Sequence, residues 1–76
     1  MARDRHYYEQ RQYLYSIVWW VYYGGIRVND AIVKVTKIKR ELEFELPFLS
    51  FSIVKSNLKL SKDCLKYLYD LRRRGY

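Results

Sequence analysis

One cysteine, one histidine, one proline and three glycines in 76 residues leave little room for several kinds of chemistry. Cys64 has no second thiol to pair with inside the chain, so the disulfide stapling of small secreted domains is closed to it. Its place among leucines predicts a small buried apolar residue, and a reducing, cytoplasmic location is the corresponding expectation. His6 has Glu9 three residues on and only one distant cysteine, which makes no metal set. Neither a Ser–His–Asp arrangement nor a working carboxylate pair can be assembled around it. Gly24–Gly25 lacks the Gly-Lys-Ser/Thr of a phosphate loop. The expectation is a protein that is not an enzyme and carries no metal or cofactor. Long apolar runs are missing too. The weakly polar stretch from Tyr13 to Ile26 is shorter than the roughly 20 residues that cross a bilayer and contains two glycines, so no membrane span is expected. The first dozen residues, MARDRHYYEQRQ, are too polar for a signal peptide.

Acids are scarce as well, at eight against fifteen Lys and Arg, which gives +7 and a pI near 9.7. Such a balance suits polyanions: DNA, RNA or an acidic protein surface. The charge is concentrated late in the chain. From Lys55 onward the cations are Lys55, Lys59, Lys62, Lys66, Arg72, Arg73 and Arg74, against Asp63 and Asp70 alone. Plentiful, by contrast, are hydrophobic residues at 50% and aromatics at 18%, with nine tyrosines and the pair Trp19–Trp20. Seventy-six residues make one domain, 1–76, and a domain of this size buries only about 60% of its unfolded surface. The aromatic surplus therefore predicts a homodimer or burial against a partner.

The segment from Ser61 to Gly75 reads as a complete amphipathic helix. Ser61 is a candidate N-cap, Asp63 lies in the first turn, Arg72, Arg73 and Arg74 in the last, and Gly75 at C′. At about 100° per residue, Lys62, Lys66, Tyr69 and Arg73 share one face, and Cys64, Leu68 and Leu71 the opposite one. Lys62 and Lys66 are like charges at i,i+4, which costs a helix a few tenths of a kcal/mol, so folding alone gives no reason for them.

Upstream, Tyr15–Tyr23 is β-branched and aromatic almost throughout, and Gly24–Gly25 offers the positive-φ pair of a hairpin turn, with a second strand from Ile26. Residues 31–46 admit two readings. Ala31, Val35, Ile38, Leu42 and Leu46 form a helical stripe, with Asp30 as N-cap and Pro47 as stop. Folded about Lys39–Arg40 as strands instead, Val35 faces Phe44 and Val33 faces Leu46, with Thr36 opposite Glu43 and Lys34 opposite Glu45. Glu41, Glu43 and Glu45 then share one solvated face near Lys34 and Lys37. The β-branched density and the alternation Leu42-Glu-Phe44-Glu-Leu46 favour strands. Leu49-Ser-Phe51-Ser-Ile53 alternates in the opposite phase, which calls for a bulge or corner at Pro47–Phe48. The expected fold class is α+β: an antiparallel meander of three or four strands with a C-terminal amphipathic helix. Residues 3–12, with Arg3, Arg5 and Arg11, open it as a short helix or a basic arm. The alternative is a mainly-α helix-turn-helix.

The run from Leu58 to Tyr76, with Leu60 and Ser61 ahead of leucines 65, 68 and 71 and Gly75–Tyr76 at the end, resembles the end of a winged helix-turn-helix DNA-binding domain. The resemblance implies that Lys62, Lys66 and Tyr69 face a groove. From the residues themselves the expectation is a small basic nucleic-acid-binding protein, a transcriptional regulator being one form of it. Lys62, Lys66 and Arg73 neutralise phosphates, Tyr69 adds a stacking or hydrogen-bonding contact, and Lys59, Arg72 and Arg74 add attraction. The rivals are a module or inhibitor that covers an acidic protein surface, and a small structural subunit of a larger assembly.

Overall fold

The computed structural model describes residues 2–49 and 51–76, with side chains from residue 5 onward. Its elements are three α-helices: α1 (Ala2–Tyr22), α2 (Val28–Glu45) and α3 (Ser52–Arg73). Two hydrogen bonds fix one end of the bundle, where the Tyr7 hydroxyl donates to the Glu45 carboxylate and Asn57 Nδ2 donates to the Tyr7 carbonyl at 2.8 Å. At the other end Tyr22 stacks on Tyr76 at 6.2 Å between ring centroids, and Arg72 Nη1 donates to Asn29 Oδ1 at 3.3 Å. So α1 and α3 run parallel to each other and antiparallel to α2. No described helix is long and apolar enough to cross a membrane.

The meander expected from the sequence is therefore overturned, since no strand occurs among the described residues. In α2 the helical stripe that competed with the strand reading is the one that packs: Val28, Ala31, Ile32, Val35, Ile38 and Leu42 are buried. The residues that made the segment look like strands are left in solvent, Val33 at 68% exposed and Phe44 at 77%. Their apparent alternation was a coincidence of surface residues with a 3.6-residue core period. Glu41, Glu43 and Glu45 do not share a face either. Glu43 pairs with Lys39 at 3.8 Å, while Glu45 receives the Tyr7 hydroxyl. Helix α2 ends before Pro47, and the phase change at Pro47–Phe48 is a helix-terminating turn, with Phe48 and Leu49 N–H groups donating to the Glu45 carbonyl. Ser50, within the third expected strand, lies outside the described residues, as does the side chain of Arg3.

In α1 a narrow seam of Tyr7, Leu14, Ile17 and Val21 is buried, and the neighbouring rings are not. The β-branched and aromatic run from 15 to 23 belongs to this helix and its closing turn, and not to the first strand of a hairpin. Gly24 does need positive φ, at +80°, but for another reason than a hairpin. The Gly25 N–H donates to the Trp20 carbonyl at 2.7 Å and the Gly24 N–H to the Val21 carbonyl at 3.1 Å, a Schellman cap that ends α1. The same motif ends α3 around Gly75 (φ +95°), as the sequence predicts: Tyr76 N–H to Leu71 and Gly75 N–H to Arg72, both at 3.1 Å.

Helix α3 starts about two and a half turns earlier than expected. Ser61 is not an N-cap. It is fully buried in mid-helix, and its hydroxyl donates to the Leu58 carbonyl at 2.7 Å, one turn back. A polar bridge locks the register of α1 against α3. Buried Asn57 donates to Gln10 Oε1 at 3.0 Å as well as to Tyr7, and Arg11 Nη1 donates to Ser56 Oγ at 2.8 Å and Asn57 Oδ1 at 3.4 Å.

Candidate functional site

An α3 that begins at Ser52 lengthens the basic face that the sequence placed on its second half. Lys55, Lys59, Lys62 and Lys66 are all exposed. Their spacing of four, three and four residues keeps them within about 60° of one another, and Arg73 falls on the same line. The stripe from Lys55 to Arg73 extends over about 27 Å of one rigid element. Among the described residues none of the four lysines makes an ion pair, and the helix's two acids sit to one side. Asp70 is itself engaged by Arg73 Nη2 at 3.5 Å and Arg74 Nε at 3.1 Å.

The predicted site residues thus divide. Lys59, Lys62, Lys66, Tyr69 and Arg73 come together on the outer face. Arg74 is drawn towards Asp70, off the stripe. Arg72 turns towards α2, where it bonds Asn29 and lays its guanidinium over the Tyr69 ring at 4.9 Å from the centroid. One face of Tyr69 is therefore covered, and the residue as a whole is 42% exposed. Lys55 falls outside the stripe when Ser61 is read as the helix start, and joins it once α3 begins at Ser52. The 4-3-4 spacing of the lysines was the signal that could have placed it.

A second exposed surface lies on α1. Trp19, Trp20, Tyr22 and Tyr23, part of the aromatic surplus, are all exposed in the monomer and form no part of its core. Trp19 stacks on Tyr23 at 5.6 Å and meets Tyr22 edge-on at 6.1 Å. With Val18 and Tyr67 these rings line an open hollow of about 450 Å³. At the C-terminal end of α2, exposed Phe44 and Phe48 of the following turn lie 6.1 Å apart between ring centroids. His6 is exposed, Glu9 pairs with Arg5 at 3.0 Å, and among the described residues no three His, Cys, Asp or Glu side chains converge.

Cys64 is buried, as its position among leucines implies. Burial first, and the neighbouring Asp63 charge second, push its thiol up from the ordinary 9.0, with Arg11 opposing them. A native-state pKa raised above the unfolded one means that the folded protein holds this proton more tightly. Its contribution is then complete below pH 9.0 and is lost as pH rises through the folded value. Two outcomes follow. Native protein should react with a thiol reagent far more slowly than unfolded protein. Cys64→Ala should lower stability by about 1 kcal/mol at neutral pH and remove part of the alkaline decline seen in denaturant melts.

No protein family, curated protein or solved structure matches the chain.

Proposed function

We propose that this protein binds nucleic acid without catalysis, by laying the outer face of α3 along a phosphate backbone. The observation that carries the reading is the row Lys55, Lys59, Lys62 and Lys66, exposed and, among the described residues, without an ion pair on one face of a well-packed helix. Lysines at i,i+3 and i,i+4 repel one another by a few tenths of a kcal/mol per pair, so the row costs stability and is explained by an anion that it meets. Ammonium groups on flexible stems are suited to phosphates as point charges, and in contacts to the backbone they read no base sequence. With Arg72 over one face of Tyr69, the stripe offers at most one ring face for stacking, against four phosphate-seeking lysines. The contact is therefore to the backbone, and duplex and single strands should both bind.

The test is fluorescence anisotropy with labelled duplex DNA, single-stranded DNA and RNA of generic sequence. All three are expected to bind, within about tenfold of one another, because counterion release dominates. Tyr69→Ala is expected to weaken binding by about two- to tenfold, the worth of one hydrogen bond, while leaving its salt dependence unchanged. Absence of binding to every probe would hand the stripe to an acidic protein surface instead.

A further inference from the structure

The outer face of α1 carries a second seam, largely exposed, on which Arg11 lies over the Tyr15 ring and Tyr76 stacks on Tyr22. Tyr8, Gln12, Tyr15, Trp19 and Tyr22 follow one another at intervals of four, three, four and three residues, the repeat by which one helix packs on another. The four rings of this row and the adjacent Tyr23 are between 47 and 75% exposed.

We propose that this face is the contact between two copies of the chain, paired antiparallel through α1 about a two-fold axis. Charge selects the occupant. In a molecule of +7, no charged residue occurs from Gln12 to Ile26, so this is a surface on which two copies can meet without setting cation against cation. Of the cations near its N-terminal end, Arg5 pairs with Glu9, and Arg11 bonds Ser56 and Asn57 while its guanidinium also lies over the Tyr15 ring at 5.7 Å from the centroid. An antiparallel pairing sets that turn beside the partner's uncharged last turn, whereas a parallel one would set Arg5 beside Arg5. Area is compatible: at ~200 Å² per ring, the five aromatics expose on the order of 550 Å² per copy, so their complete burial gives about 1,100 Å² across the contact, close to the ~1,000 Å² that a specific interface needs. The inference stands apart from the proposed function. Helix α3 meets α1 through Ser56 and Asn57, which lie about 60° or more round the helix from every lysine of the stripe, so pairing through α1 need not cover the stripe.

Sedimentation equilibrium on the full chain tests it. A dimer of 9.4 kDa protomers is expected at tens of micromolar. Trp19→Arg, and independently Tyr23→Arg, should weaken dimerisation by about 30-fold or more, because each sets a cation within a desolvated aromatic contact. Both sites are exposed, and unchanged far-UV circular dichroism confirms that the variants fold. Phe44→Arg, on the exposed apolar pair of α2, should leave the dimer intact. The proposal is overturned by a wild-type monomer at ~200 µM, a concentration at which micromolar self-affinity would be saturated. It is equally overturned if the two α1 variants stay dimeric, or if Phe44→Arg is the variant that dissociates.

Discussion

Replacing Lys55, Lys59, Lys62 and Lys66 together by glutamine is expected to lower affinity for nucleic acid by about 10³- to 10⁴-fold at 0.1 M salt, through lost counterion release. Each phosphate that a lysine neutralises frees close to one condensed cation, which at that salt amounts to roughly tenfold in affinity. The same variant should melt at the wild-type temperature or slightly above it. Neutralisation removes Lys55–Lys59, Lys59–Lys62 and Lys62–Lys66 as repelling pairs, each a few tenths of a kcal/mol. Binding by anisotropy and melting by circular dichroism therefore move independently. A stripe that served the fold would show the reverse pattern, with stability lost and binding, where present, little changed.

Leu68→Ala is expected to have the largest effect on stability. Leu68 is fully buried on α3, in a core with Leu14 and Ile17 of α1 and Val35 and Leu42 of α2. Truncation removes the transfer energy of the side chain and leaves a cavity, together about 3–4 kcal/mol. A domain of this length has on the order of 4–11 kcal/mol in total, so much of the margin disappears. The melting temperature should fall by about 15–25 °C, read by far-UV circular dichroism. A loss under about 1 kcal/mol would mean that Leu68 does not sit between the other two helices.

The sequence made the C-terminal helix legible where several signals coincide. Leucines 65, 68 and 71 with Cys64 define a core face, Gly75 a positive-φ cap, and the lysines a face opposite. It misled where one signal served two structures. Gly24 needs positive φ, but a Schellman cap and a hairpin turn require it alike, and only the period of the preceding residues separates them. In α1 that period, Tyr7, Leu14, Ile17 and Val21, was hidden among rings that face outward, because aromatic and β-branched residues raise strand propensity without being buried. In α2 the stripe of Ala31, Val35, Ile38 and Leu42 was visible, and was outweighed by the chance alternation of Phe44 with its glutamates. Propensity is a weak prior, and tertiary packing of the apolar stripe overrode it. Ser61 hid the true start of α3, and with it Lys55, because a serine can cap a helix or bond one turn back inside it.

The most direct test of the account is the salt dependence of binding to generic duplex DNA between about 50 and 200 mM salt. Contact between the α3 stripe and a phosphate backbone predicts that log affinity falls linearly with log salt, with a slope reporting about three to six phosphates. Lys62→Ala and Lys66→Ala should each reduce that slope by about one. No binding at about 50 mM salt, where counterion release is most favourable, or a slope that neither lysine variant alters, would contradict it.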